Sequence, residues 1–177
     1  MKATGIIRRV DELGRIVIPK EIRRTLRIRE ADPLEIFTDR DGEIILKKYS
    51  PIGELSNTAQ EMAEALAQVS GELVCICDQD QVVAAAGSES KKYMSKSITA
   101  DVENQIQNRE SVCGSSTKLK VIDEDEHTSI VLAPIICSGD AIGAVAIIGK
   151  KEKTILGEQD LKLATVAAQY LGKNLED

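Results

Sequence analysis

The sequence predicts two folded units of different class: an N-terminal all-β unit with one short helix over residues 1–51, and a C-terminal α+β unit over residues 52–177. Three observations carry this division. Short β-rich runs separated by turn signals fill the first fifty residues. From residue 52 a helical segment at each end brackets runs of apolar strand, the pattern of an α+β domain. Charge also changes sign between the two: residues 1–50 hold 12 Lys+Arg and 9 Asp+Glu, a net of +3, while the remaining 127 hold 11 and 20, a net of −9.

In the first unit, TGIIRRV (4–10) reads as an apolar and basic strand, DELG (11–14) as a turn around Gly14, and RIVIP (15–19) as a second strand. A short helix follows in PKEIRRTLRI. Pro19 suits a helix start because its missing N–H would be unpaired there. Ile22 and Leu26 are four apart and share a face, and Arg23, Arg24 and Arg27 point largely elsewhere. LEIFTD and EIILKKY flank Arg40-Asp41-Gly42, a strong hairpin signal. Tyr49-Ser50-Pro51 breaks the pattern and reads as a linker. Fifty residues of this kind bury too little surface to be comfortably stable alone, so a homodimer is the expected remedy.

In the second unit, a helix runs from about residue 52 and ends at Gly71, with apolar positions at Leu55, Ala59, Met62, Leu66 and Val69. ELVCICDQDQVVAAAG reads as two strands joined by a polar turn at 78–81. Helical pieces and loops occupy 88–112. VLAPIICSGDAIGAVAIIG is an apolar hairpin around Ser138-Gly139-Asp140. The closing helix carries Leu161, Ala164, Ala168, Leu171 and Leu175. Both helices have heptad spacing over about two heptads, short of a convincing coiled coil. The alternatives are packing on their own sheet and self-association, and the reading favours self-association, hence a homotetramer.

Several classes of function are excluded or disfavoured. Aromatic residues make up 2% of the chain, which argues against a base-stacking or sugar-stacking surface. The longest apolar runs, 131–137 and 144–148, are far too short to cross a bilayer, and the start of the chain has no basic-then-apolar leader. The reading is therefore a soluble cytoplasmic protein with no membrane partner. Cys75 and Cys77 lie two apart in an apolar run and face the same way if that run is a strand, so the cysteines read as core packing rather than metal ligands. No catalytic motif is present. His127, the one histidine, sits in DEDEHTS and reads as an exposed residue of a solvated acidic loop. No enzyme, metal or cofactor is expected.

The basic region points to DNA. Residues 1–29 hold nine basic positions, seven Arg and two Lys, against Asp11, Glu12 and Glu21. Lys and Arg beside a duplex release condensed counterions, and Arg can also fork onto guanine edges or phosphates. With one short helix and no helix-turn-helix pattern, readout falls to a β-rich surface.

Residues 2–49 strongly resemble the swapped-hairpin DNA-binding domain of the AbrB-type transition-state regulators, and DELGRIVIPKEIRRTL is the most specific part. The rest resembles a GAF domain more loosely, through a leading helix, a hairpin, the P-I-x-x-x-G-x-x-I-G stretch from Pro134 to Gly143 and a closing helix. The combination implies a double-stranded-DNA-binding regulator of spore-development genes, acting in the forespore. Two chains would interleave hairpins into one barrel. Family DNA contacts carry over to Arg8, Arg15, Arg23 and Arg24, with Arg9 a weaker candidate. The GAF likeness implies a regulatory pocket and an unidentified small ligand, without assigning ligand residues. The competing readings are an antitoxin-like protein-binding module on the same barrel, and a redox sensor using Cys75, Cys77 or Cys113.

Overall fold

The computed structural model describes residues 4–30, 32–114, 119–127, 129–149 and 155–176. Lys2, where the AbrB resemblance begins, lies outside them. The chain divides into two compact units, residues 1–49 and 50–177.

In unit 1 the residues after the Gly14 turn lead through Pro19 into α1 (Lys20–Thr25), and the Arg23 N–H returns to the Pro19 carbonyl at 3.0 Å. β1 (Leu34–Thr38) and β2 (Ile44–Lys48) pair antiparallel, Leu34 opposite Lys48 and Thr38 opposite Ile44. Their connection turns at Gly42 with φ 80°, and the Asp39 carboxylate accepts the N–H groups of Asp41 and Glu43. This is the hairpin that Asp41-Gly42 predicts.

The two earlier segments differ from expectation. Residues 4–10 and 15–18 form no strand within the chain, and their apolar side chains face outward: Ile7 is 88% exposed and Val17 73%. The hairpin's Ile36, Ile44 and Leu46 are exposed as well. The physical reason is local. A strand exists through the ladder it makes with a neighbour, and a lone two-stranded hairpin offers too small a face to form a core. Unit 1 thus has the composition of a cored domain without a core of its own.

Unit 2 is a five-stranded antiparallel sheet in the order β4-β3-β7-β6-β5. In chain order its elements are α2 (Pro51–Glu54), α3 (Ser56–Ser70), β3 (Leu73–Asp78), β4 (Val82–Ala86), α4 (Ser90–Tyr93), α5 (Ala100–Asn108), β5 (Val112–Gly114), β6 (Ser129–Cys137), β7 (Asp140–Gly149) and α6 (Glu158–Lys173). Pro51, read from the sequence as linker, instead opens α2. Ser50 caps that helix by accepting the Gly53 N–H, and its hydroxyl donates to the buried Asp78 carboxylate at 2.8 Å.

Both faces of the sheet are covered, which is why β3 reads as an unbroken apolar run. Val74 and Ile76 point to one core with Val131, Ala133, Val145 and Ile147, beneath α3 and α6. Leu73, Cys75 and Cys77 point to the other with Ile130, Leu132, Ala146 and Ile148, beneath α4, α5 and the 119–127 loop. Burial pushes the Cys77 thiol up to about 12, so it stays protonated and unreactive. Cys113 is exposed and Cys137 half-buried, and none of the four cysteines is in a disulfide.

The heptad positions of the two long helices go into this core. Ala59, Leu66, Ala164, Ala168 and Leu171 are buried against the sheet, with Met62, Leu161 and Leu175 packed on them; only Val69 of the two sets stands out in solvent. A 3-4 spacing fits a helix lying on a sheet as well as it fits a helix pair. What remains on the outer surface of α6 is Val166 and Tyr170, four apart.

Candidate nucleic-acid interface

Arg8, Arg9, Arg15, Arg23 and Arg24 all lie in unit 1 and all are exposed. Arg8 and Arg9 stand on the unpaired N-terminal segment. Arg23 and Arg24 share the last turn of α1, where the helix dipole favours positive charge. Arg15 follows the Gly14 turn, whose positive φ of 75° suits a residue without a side chain.

That turn is built around Asp11. Its Oδ1 accepts the N–H groups of Leu13 at 2.9 Å and Arg15 at 2.8 Å, and its Oδ2 accepts Arg15 Nε at 2.8 Å. The Arg15 N–H and guanidinium hold the Asp11 carboxyl below the usual carboxylate range. Pinned through Nε, the Arg15 guanidinium keeps its two terminal amino groups for an outside acceptor. Sequence reasoning counted Asp11 only as a charge against the basic region. Its i,i+4 spacing to Arg15 across a glycine turn was the signal available.

Further along, the Asp32 carboxylate accepts the Arg29 N–H at 2.8 Å and lies 3.1 Å from Lys48 Nζ. None of these residues was singled out from the sequence. Unit 1 therefore offers these five exposed arginines, of which Arg15 has its backbone setting fixed by a carboxylate, and such cationic forks can grasp phosphates or base edges.

Unit 2 holds a second polar feature, and here the structure corrects the sequence reading. His127 is not an exposed residue of the acidic loop. Its side chain is 1% exposed, with Nδ1 3.1 Å from Asp125 Oδ2, and Asp125 is itself fully buried. The Tyr93 hydroxyl donates to the other carboxylate oxygen, and the Val121 N–H donates to Oδ2 at 3.3 Å. Desolvation pushes the Asp125 carboxyl up, but the bonds from His127 and Tyr93 outweigh it and hold the carboxyl below its ordinary value. Asp125 and His127, two apart, turn inward together, a signal hidden within the charge run. A shallow groove of about 280 Å³ runs between β6 and α6, lined by Ser111, Ala133, Pro134, Ile136, Thr165 and Gln169. Among the described residues there is no cluster of three metal-ligating side chains, and no helix is long and apolar enough to cross a membrane.

Comparison with known proteins bears on both units. Residues 54–176 match the family described as "Stage V sporulation protein T C-terminal, transcription factor", and residues 7–54 match "Antidote-toxin recognition MazE, bacterial antitoxin". The chain is 52% identical over 180 residues to stage V sporulation protein T of Bacillus subtilis (strain 168), covering 99% of each. It is 44% identical over 108 residues to the transition state regulatory protein AbrB of the same organism, covering 61% of this chain and 96% of that one. Among solved structures, the GAF domain of an Acinetobacter phosphoenolpyruvate-protein phosphotransferase superposes with a TM-score of 0.57 at 13% identity, over 73% of this chain and 84% of that one. At such identity the likeness establishes the fold of unit 2 alone.

Proposed function

Since the chain belongs to the stage V sporulation protein T family of transcription factors, we propose that it regulates spore-development genes as a homo-oligomer, gripping double-stranded DNA with unit 1 and assembling through both units. Its N-terminal unit is an AbrB/MazE-type swapped-hairpin domain and its C-terminal unit a GAF-like α+β domain. The chain is a DNA-binding regulator, not an enzyme.

The observation that carries the proposal is the surface of unit 1. Apolar side chains of two would-be strands and of the hairpin lie exposed beside exposed arginines. A second copy supplies the missing strand partners and closes a core. The arginines remain outside to meet DNA, with Arg8, Arg15, Arg23 and Arg24 as contacts and Arg9 as a weaker one. In unit 2 the second contact between copies uses Val69, Val166 and Tyr170, since Leu66 and Leu171 are already buried. The forespore is the expected place of action by family likeness.

Arg23→Ala and Arg24→Ala test the interface. Each should weaken binding of a duplex retained by the wild-type protein and lower the slope of log affinity against log salt by about 0.9 for each phosphate no longer neutralised. Unchanged affinity in both variants, with wild-type folding, overturns the arginine assignment. A second reading, a small-molecule sensor, is favoured by the GAF-like fold alone. A thermal-shift screen of nucleotides and amino acids against the full chain addresses it, because a ligand of the folded state raises the melting temperature by mass action.

A further inference from the structure

Unit 1 carries Arg23 and Arg24 on a helix with little to hold it. None of the six residues of α1 is buried, and no side chain caps its N-terminus. Beyond its C-terminal end the chain turns at Arg27, whose φ of 51° lies in a region that residues with side chains seldom adopt. That turn is fixed from two sides. The Ile28 N–H returns to the Arg23 carbonyl at 2.7 Å. From the hairpin, Lys48 Nζ donates to the Arg27 carbonyl at 3.0 Å and lies 3.1 Å from Asp32 Oδ2, the oxygen that also accepts the Arg29 N–H at 2.8 Å. Lys48 sits at the base of the hairpin, opposite Leu34, and the Lys48 and Asp32 side chains are only 22% and 13% exposed.

We propose that Lys48 and Asp32 are positioning residues for DNA recognition: they strap the turn after α1 to the base of the β1–β2 hairpin and so set where Arg23 and Arg24 present their guanidinium groups, without touching DNA. This rests on the reading of Arg23 and Arg24 as DNA contacts. By charge alone Lys48 looks like one more phosphate ligand. Its ammonium has three donors, however, and at least two are committed, to Arg27 and Asp32. Its charge is also matched on the spot, because Asp32, though partly desolvated, is held ionised by the Arg29 N–H and by Lys48 itself. A six-residue helix whose one apolar side chain, Ile22, is only half-buried needs such a polar tie, since it is too short to persist by its own backbone bonds.

The test uses the full chain and a duplex selected from a random-sequence pool by the wild-type protein, with a scrambled duplex as the non-specific reference. Asp32→Asn removes a negative charge, so electrostatics alone makes it bind DNA more tightly. The strap makes it bind the selected duplex at least about tenfold more weakly, with scrambled binding unchanged, so the specificity ratio collapses. Lys48→Met should lose specificity in the same way while keeping the wild-type salt slope. A slope reduced by about 0.9 would make Lys48 a phosphate contact and overturn the proposal, as would an Asp32→Asn protein that binds the selected duplex as well as wild type. Arg23→Ala and Arg24→Ala run in parallel: if both bind normally, the arginine reading has failed; if either is weak while Asp32→Asn is not, only the strap has failed. Circular dichroism reports folding, and should Asp32→Asn unfold, Lys48→Met decides on the same criteria.

Discussion

Asp125 shows how far a residue's setting can depart from its neighbours in the chain. Asp123, Glu124 and Glu126 are exposed, yet the carboxylate between them is fully buried and shared by Tyr93 and His127. Because the folded carboxyl titrates below its unfolded value of 3.8, its contribution to stability is complete above that range and is lost as pH falls through the lower folded value. Asp125→Asn should therefore cost about 1–3 kcal/mol at pH 7, with the gap to wild type narrowing below about pH 4, read from urea unfolding at each pH. Tyr93→Phe should cost about 1–3 kcal/mol at neutral pH by leaving Asp125 Oδ1 without that donor. A gap for Asp125→Asn that is constant with pH would refute the ionised network. The cysteines divide in the same way. An aromatic disulfide reagent added to the native protein should modify Cys113, while Cys75 and Cys77 should react only on unfolding.

At the scale of elements, neighbouring residues of α6 have opposite duties. Leu171→Glu places a charge in the core under α6, where burial costs more than packing returns, and should destabilise unit 2 by about 4 kcal/mol or more. Tyr170→Glu with Val166→Glu should leave the melting temperature close to wild type and remove only the proposed self-contact, seen as a lower mass by light scattering. Gly172 marks how closely α6 approaches the sheet: an added Cβ would lie 2.1 Å from the Ile136 carbonyl oxygen. Gly172→Ala should accordingly lower the melting temperature by several degrees.

These contrasts show what the sequence could disclose. The hairpin at Asp41-Gly42, the helix end at Gly71 and the β6–β7 turn at Ser138-Gly139 were all legible because turn chemistry is local. The burial of Leu66 and Leu171 was not, since a 3-4 spacing does not say which surface a helix meets. The segments expected as strands at 4–10 and 15–19 form none within the chain, because a strand needs a ladder neighbour and the local sequence specifies none. Of the candidate interface, the arginines were visible from composition. Two carboxylates beside them were harder to read: Asp11 showed only as an i,i+4 spacing to Arg15 across a glycine turn, and Asp32 meets Lys48, which lies far off in sequence on the hairpin.

For the whole molecule, the proposed contacts at both units predict a dimer of dimers. A fragment of residues 1–54 should stay dimeric, bind one-site DNA about as well as the full chain, and lose the avidity of about 10²–10⁴ that a second tethered barrel adds on two-site DNA. Light scattering alongside gel shifts on both duplexes checks this, and a full chain that remains a dimer at micromolar concentration rules the architecture out. The outward-facing Ile7, Val17 and Ile36 then acquire a meaning in the cell. A domain whose core is completed by another molecule matures through an encounter, at a rate that rises with the square of the number of newly made chains. A cell making few copies would hold them mostly as immature halves, and a modest rise in synthesis would raise the competent pool more than in proportion. The regulator would thus carry a threshold against leaky expression, set by its own assembly and needing no signal.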